Sequence, residues 1–176
     1  MNEVLKNIRE RRSCRKYKAE PVPQELLDQV IEAGLYAPSS KGQQAAIVVC
    51  VTDPAAVKKL SALNARFMQA HTDSDPFYGA PAVLIVLAAK ERPAQYCDGC
   101  LVMENLMLAA HSLGLASCWI HRAQEMFETD EGQAFLADLG IDASAYIGIG
   151  NCIVGYADGD LPAPPARKDG RVFYVK

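Results

Sequence analysis

Residues 94–113 constrain the fold more than any other part of the chain, because they have the length of a helix and are apolar on nearly every side. Their apolar positions include Leu101, Val102, Met103, Leu106, Met107, Leu108, Ala109 and Ala110. A helix without a polar face has to be covered by other elements over most of its surface. The sequence therefore predicts a helix in the middle of the fold, with layers packed around it.

The remaining apolar segments supply those layers. Strands are predicted at residues 45–52, 82–89, 115–120 and 145–156, and helices around residues 4–8, 23–37, 55–70 and 123–139. Residues 71–79 are expected to form a loop, and residues 161–176 an extended, proline-rich tail. Because the helices come in bunches between the strands, we expect an α+β fold in which a central mixed β-sheet is flanked by helices.

Length and composition favour a single globular domain over residues 1–176. The chain is 50% hydrophobic and 22% charged, with a net charge of −3 at pH 7, which argues against a general nucleic-acid binder. Its longest apolar run, residues 80–89, is too short to cross a bilayer, and the charged N-terminus has no apolar segment of the signal-peptide type. We therefore expect a cytoplasmic protein with no nucleic-acid or membrane partner.

Positive charge is concentrated at the start of the chain. Of the 18 lysines and arginines, seven fall within the first 18 residues: Lys6, Arg9, Arg11, Arg12, Arg15, Lys16 and Lys18. Guanidinium groups form forked, charge-assisted hydrogen bonds to phosphate, and Ser13 places a hydroxyl among them. The residues alone leave two interpretations open, a phosphorylated ligand or a solvated helix end whose cations complement the helix dipole.

Cysteine spacing supports a competing interpretation. Cys97-x-x-Cys100 followed by Cys118-x-x-His121 has the pattern of a four-ligand zinc site. Together with the basic N-terminus, such a site would suit a zinc-stabilised nucleic-acid-binding module. The context weakens this alternative, because one pair begins an apolar helix and the other ends a strand. We favour reduced, buried thiols and no metal.

Four short segments occur in a fixed order and are distributed over nearly the whole chain. Four ordered motifs match a family by chance less often than one motif does. They are Arg11-Arg12-Ser13-Cys14-Arg15, residues 37–44 (APSSKGQQ), residues 105–115 (NLMLAAHSLGL) and residues 164–168 (PPARK). The set resembles the motifs of the nitroreductase-like, FMN-dependent oxidoreductase family. The resemblance implies the fold of that family, an FMN cofactor, and a homodimer with the FMN sites at the subunit interface. It also implies a C-terminal tail that extends onto the partner subunit.

The resemblance assigns the basic N-terminal motif to the cofactor. Arg11, Arg12 and Ser13 would hold the phosphate and ribityl groups of FMN. Arg15 would lie nearer the pyrimidine edge of the flavin ring, where a cation stabilises the negative charge that collects on the reduced flavin.

A strand end and the tail complete these implied contacts. Trp119, Ile120 and His121 match the strand end that passes the flavin, and the main chain of Ile120 and His121 would direct an N–H at the reactive N5 atom. Arg167 and Lys168 would close on the phosphate from the tail.

A further set of implied contacts crosses the subunit interface. Pro38, Ser39 and Ser40 would contact the flavin of the other subunit, with Gly42 and Gln44 in the same loop. Gly42 stands where the family usually has asparagine, which removes a side chain that would bond the ring or its surroundings.

The function implied by the resemblance is NAD(P)H oxidation. NADH or NADPH would reduce the flavin at N5 and then be replaced by a nitroaromatic, a quinone or a similar acceptor in a ping-pong cycle. No side chain needs to be a catalyst in that scheme. A flavin-binding protein without turnover remains an alternative, and residues 66–78 are where we expect a partial lid.

Overall fold

A four-stranded sheet organises residues 1–68 and 74–176, which are the residues that the computed structural model describes. Its strands are β1 (Ala46–Val51), β2 (Ala82–Ala89), β3 (Ala116–Ile120) and β4 (Tyr146–Gly155), in the order β1-β2-β4-β3. Each pair of neighbouring strands is antiparallel. The central strand β2 consists of apolar residues only, and successive side chains point to opposite faces, so both faces of the sheet need covering.

Helices cover the two faces of the sheet. They are α1 (Glu3–Glu10), α2 (Gln24–Leu35), α3 (Pro54–Ala65), α4 (Gln95–Ser112), α5 (Ala123–Phe127) and α6 (Asp130–Asp138). Leu84 of β2 points into a core shared with α2 and α4. Its neighbour Ile85 points into a second core shared with α3, α5 and α6. The alternation of β2 therefore builds two cores, and the predicted α+β fold is confirmed.

The sheet is mixed only at one edge. The four strands are antiparallel, and the parallel contribution is an isolated bridge between Ser13 and Ser117. The N-terminal segment that runs beside β3 is thus too briefly paired to count as a strand.

α4 is less buried than its composition predicts. Met103 and Leu106 are fully buried, but Leu101 is 44% exposed and Tyr96 is 46% exposed. The helix lies on one face of the sheet beside α2 and α1. One flank of this apolar helix therefore remains uncovered by the described part of its own chain.

Two predicted helices have different ends. α3 begins at Pro54, where Asp53 caps it by accepting from Ala56 N–H at 2.8 Å, and it ends at Ala65 rather than near the predicted residue 70. The helix predicted at residues 123–139 is divided, because Thr129 caps a new helix by accepting from Gly132 N–H at 3.0 Å. The last two residues of the predicted third helix, 69 and 70, and the first three of the predicted loop at residues 71–79 lie outside the described residues.

Residues 11–18, called the basic segment below, leave α1 and continue as extended chain. Cys14 N–H donates to Ser117 O at 2.9 Å, and Lys18 N–H donates to Tyr156 O at 2.9 Å. Most of the basic cluster is therefore not a helix end. No helix in residues 1–68 or 74–176 is long and apolar enough to cross a membrane.

Candidate functional site

The basic N-terminal segment lies beside β3, so the fold joins two of the predicted site regions. Ser13 forms a parallel bridge with Ser117, and the main chain of Cys14 bonds the same residue. An ion pair between Lys16 Nζ and Asp158 at 2.7 Å holds the other end of the segment near the end of β4. Arg11, Ser13 and Arg15 are consequently fixed next to the strand that leads to Trp119 and His121.

Two adjacent arginines in this segment differ in what they contact. Arg12 donates to Arg9 O at 2.6 Å and also to Arg11 O, so its guanidinium satisfies carbonyls at the end of α1. The Nη1 atom of Arg11 is buried and has no hydrogen-bond partner among the described residues. A buried guanidinium nitrogen without an acceptor is costly, and an anionic group would satisfy it.

A buried hydroxyl accompanies Arg11. Ser117 is 2% exposed, and its Oγ also lacks a hydrogen-bond partner in the described chain. Ser117 lies opposite Ser13 in the bridge. The segment and β3 thus bring together hydroxyl and guanidinium donors, which is the chemistry that a phosphate or a polyol chain requires.

The electrostatics of nearby groups reflect these cations. Burial lowers the pKa of His111, and the charges of Arg11 and Arg12 lower it further, while Glu10 opposes them. Burial raises the pKa of the Cys118 thiol, although a hydrogen bond with Ser13 and the charges of nearby arginines act in the opposite direction. The positive field of the segment therefore reaches both α4 and β3.

The end of β3 is held by buried side chains that sequence reasoning missed. Asn64 Nδ2 donates to His121 O at 2.8 Å, and Asn151 Nδ2 donates to Ile120 O at 3.4 Å. Both asparagines are completely buried. The available signal was weak, because Asn64 is one of several polar residues in α3, and Asn151 is a lone amide in an otherwise largely apolar strand.

The turn after β3 has a further anchor. Arg122 has a φ of 76°, a left-handed conformation that is uncommon for a non-glycine residue. Its Nε and Nη2 atoms donate to Asn64 Oδ1 at 3.1 and 2.9 Å. The turn is therefore fixed to α3 through one asparagine, while the side chain of His121 is exposed.

The loop at residues 38–44 lies at the start of α4. Ser40 N–H donates to Asp98 Oδ1 at 3.0 Å, and Gln44 N–H donates to Ser39 Oγ at 2.8 Å. Within the described residues, these hydrogen bonds link the loop to α4 and not to the basic segment. Asp98 is 4% exposed, and its Oδ2 has no partner in the described parts of the chain.

Gly42 is explained by the conformation of this loop. Its φ is +65°, and a Cβ at this position would meet no heavy atom within 4 Å. Asparagine is among the side-chain-bearing residues that best tolerate a left-handed conformation. The glycine thus preserves the backbone of the loop while leaving open space where a side chain would project.

The tail residues are separate from the basic segment in this chain. Arg167 and Lys168 are exposed. The Nε and Nη2 atoms of Arg167 donate to Pro165 O at 3.2 and 2.8 Å, which is a contact within the tail. The structure therefore does not bring these two cations to Arg11.

The proposed zinc ligands are not assembled. No group of three or more His, Cys, Asp or Glu residues that could hold a metal occurs among residues 1–68 and 74–176. Cys97 is exposed on α4, Cys118 is buried in β3, and all six cysteines are free thiols. The structure thus offers no support for the zinc-stabilised alternative.

A cavity of about 670 Å³ lies between α3 and the segment that precedes β2. Val57 and Ser61 line it from the helix, and Phe77 and Pro81 line it from the other side. None of the predicted site residues lines this cavity. The predicted lid at residues 66–78 overlaps its border, but residues 69–73 lie outside the described residues.

Comparison with known proteins finds relatives that are similar to parts of this chain. A relative from Methanothermobacter thermautotrophicus, named as an NADH dehydrogenase/NAD(P)H nitroreductase, is 30% identical over 121 residues, which make up 66% of this chain and 60% of that protein. An FMN reductase [NAD(P)H] from Bacillus subtilis is 51% identical over 63 residues, or 36% of this chain and 25% of that one. The matched segments thus span less than two thirds of these two curated relatives.

A solved structure matches the fold along its whole length. A nitroreductase with bound FMN from Bacteroides fragilis is 29% identical, with a TM-score of 0.90 and coverage of 100% of both chains. The family model described as the nitroreductase family matches residues 8–156, which include the basic segment, all four strands and all helices after α1. This chain therefore belongs to the nitroreductase family.

Proposed function

We propose that this protein is an FMN-dependent oxidoreductase that consumes NADH or NADPH and reduces a small-molecule acceptor such as a nitroaromatic or a quinone. The observation that carries the proposal is the set of buried donors that have no acceptor within the described chain, Arg11 Nη1, Arg12 Nε and Ser117 Oγ, in and beside the basic segment. The FMN named for the Bacteroides fragilis neighbour, and the NAD(P)H named for the Bacillus subtilis relative, support it.

The donor set fits the polar half of FMN. A phosphate brings negative charge and several acceptor oxygens, and a ribityl chain brings hydroxyls. Arg11 supplies the buried guanidinium, and Ser13 and Ser117 supply hydroxyls on the two bridged segments. In this proposal Arg12 contributes its charge and at most the Nε donor, because its Nη1 and Nη2 already bond carbonyls at the end of α1, whereas Nε is buried without a partner in the described chain.

Residues near the end of β3 would hold the ring. When bound, FMN would accept a hydride from NADH or NADPH and pass electrons to the acceptor. Arg15 would balance negative charge at the pyrimidine edge, Trp119 would pack near the ring, and the main chain at Ile120 and His121 would donate to the reactive edge. These side chains bind and orient, and none needs to act as a nucleophile or a general base.

The proposal includes a homodimer with cytoplasmic location and one FMN-binding domain over residues 1–176. Pro38, Ser39 and Ser40, with Gly42 and Gln44 in the same loop, would complete the site of the partner subunit. The exposed flank of α4 and the position of this loop at its start support an interface there. Arg167 and Lys168 would reach the phosphate if the tail extends onto the partner.

An absorption spectrum of the purified protein tests this proposal. We expect flavin bands, or their appearance after reconstitution with FMN, and bleaching when NADH or NADPH is added without oxygen. A protein that binds FMN but is not reduced by either nucleotide would support a flavin-binding protein without turnover. A protein that stays colourless after incubation with FMN would refute the proposal.

A further inference from the structure

The two peptide groups at the end of β3 are held from the buried side by two asparagines. Asn151 Nδ2 donates to Ile120 O, and Asn64 Nδ2 donates to His121 O. These are consecutive carbonyls at the point where the strand ends. Both amides also approach Met126 Sδ, at 3.1 Å for Asn64 and 3.5 Å for Asn151.

Because peptide groups are planar, these two contacts also fix the direction in which two main-chain N–H groups point. In a trans peptide the C=O and the N–H of the following residue point to opposite sides of the chain, and the described residues contain no cis peptide bond. If Ile120 O faces Asn151, the N–H of His121 faces away from it. By the same geometry, the N–H of Arg122 faces away from Asn64.

Burying two asparagines at this point needs a compensating benefit. Both are 0% exposed, and Asn151 Oδ1 has no hydrogen-bond partner within the described chain. A buried, unsatisfied amide oxygen costs about 1–3 kcal/mol. The left-handed Arg122 adds strain, and strain of this kind concentrates at functional sites.

We propose that Asn64 and Asn151 are positioning residues, which orient the His121 and Arg122 N–H groups toward the flavin. This inference rests on the proposed function. It shifts the expected main-chain donors by one residue, from Ile120 and His121 to His121 and Arg122. The Arg122 side chain supports this arrangement, because its guanidinium donates to Asn64 Oδ1. That contact leaves the NH2 group of Asn64 to face His121 O.

Two measurements test the role of each asparagine. The first is the dissociation constant for FMN, titrated into the FMN-free protein. The second is amide hydrogen exchange at residues 121 and 122 with and without FMN. We expect FMN to slow exchange at both amides in the wild type. Asn64→Ala should weaken FMN binding about fivefold and reduce the protection of Arg122, and Asn151→Ala should act in the same way on His121.

Two control variants separate positioning from stability. Asn105→Ala removes another amide-to-carbonyl hydrogen bond, to Ala33 O at 3.1 Å, and should lower stability without changing FMN affinity. Met126→Leu removes the thioether contacts and keeps the core volume, so FMN affinity should stay within about twofold. If an alanine variant does not fold, Asn64→Ser and Asn151→Ser replace it.

The outcomes distinguish this inference from the proposed function. Wild-type protein that does not bind FMN overturns both. Wild-type protein that binds FMN, with asparagine variants that bind equally well and show the same amide protection, overturns only the positioning role. In that case the asparagines would serve stability alone.

Discussion

The indole ring of Trp119 lies against the bare backbone of Gly150. A Cβ on residue 150 would overlap Trp119 Nε1 and would come within 2.9 Å of two further ring atoms, Cδ1 and Cε2. The glycine therefore makes room on β4 for the only tryptophan of the chain. Close packing across β3 and β4 thus fixes the ring immediately before the strand end that carries the candidate site.

This packing predicts how much the free energy of unfolding falls when a methyl group is added to a glycine of β4. Gly150→Ala should lower the free energy of unfolding by about 1–3 kcal/mol, because the ring has to shift. Gly148→Ala should cost more, since its Cβ would overlap the main chain of Ala123, which cannot move as a side chain can. Urea denaturation followed by circular dichroism gives both values. A larger loss for Gly150→Ala than for Gly148→Ala would contradict this account.

The contrast between Arg11 and Arg12 predicts different consequences for two similar substitutions. Arg11→Met should weaken FMN binding roughly 10- to 100-fold, because a charge-assisted hydrogen bond contributes about 1.5–3 kcal/mol. Without FMN, the same variant should be at least as stable as the wild type, since it removes a buried donor that has no partner among the described residues.

Arg12→Met is the matched comparison. It removes donors to Arg9 O and Arg11 O at the end of α1, so it should lower stability and change FMN affinity less than Arg11→Met. Calorimetric titration and thermal unfolding measure the two effects. Equal losses of FMN affinity in both variants would show that charge, rather than the free Nη1 of Arg11, determines binding.

The sequence predicts the sheet better than the contacts of the site. β2 has the predicted bounds, because a continuous apolar run ends at polar or proline residues on both sides. The start of α3 is also readable in the sequence, because Asp53 is a favourable N-cap residue and Pro54 a favourable first residue of a helix. The division between α5 and α6 is not predicted, although residues 128–133 (ETDEGQ) interrupt the apolar pattern and Thr129 is a favourable N-cap residue.

The same limit applies to the candidate site. The motif around Ser13 could be read from residue types, but the proximity of Ser13 to Ser117 depends on how the chain crosses the edge of the sheet. Asn64 and Asn151 are distant in sequence and carry no motif. Their common role at the end of β3 emerges only when α3 and β4 pack on the same turn.

The cysteines should differ sharply in reactivity. Cys97 is exposed, whereas burial and the nearby Cys97 raise the pKa of Cys100, and burial raises the pKa of Cys118 and Cys152. Iodoacetamide at pH 8 should therefore modify Cys97 first, because the thiolate is the reactive form. Peptide mapping by mass spectrometry identifies the order. Cys97→Ser should speed modification of Cys100, and a buried thiol that reacts before Cys97 would refute this prediction.

His111 predicts a stability change in mildly acidic solution. Its pKa is lowered in the folded protein, chiefly by burial, so the unfolded chain takes up the proton first as the pH falls below about 6.5. The free energy of unfolding should therefore decrease between pH 7 and pH 5.5. The lowered pKa values of Asp142 and Asp158 act below about pH 4, outside this range.

Replacing the imidazole tests this assignment. His111→Gln should have a flatter dependence of stability on pH in this range, measured by urea denaturation at several pH values. A wild-type slope in His111→Gln would show that another group is responsible.

The last residues of the tail should be needed for the proposed homodimer. β1 is an edge strand that pairs only with β2 in the described chain. Phe173 is 89% exposed and Tyr174 is 80% exposed, between two exposed valines. Aromatic and β-branched residues favour strands, and an open sheet edge accepts an added strand.

Truncation after Gly170 should raise the dimer dissociation constant at least tenfold and weaken FMN binding. A double variant, Arg171→Ala with Lys176→Ala, is the control for loss of charge, because the truncation removes both cations. Sedimentation equilibrium gives the dimer constant, and a truncated protein that dimerises like the wild type would show that the tail does not hold the partner.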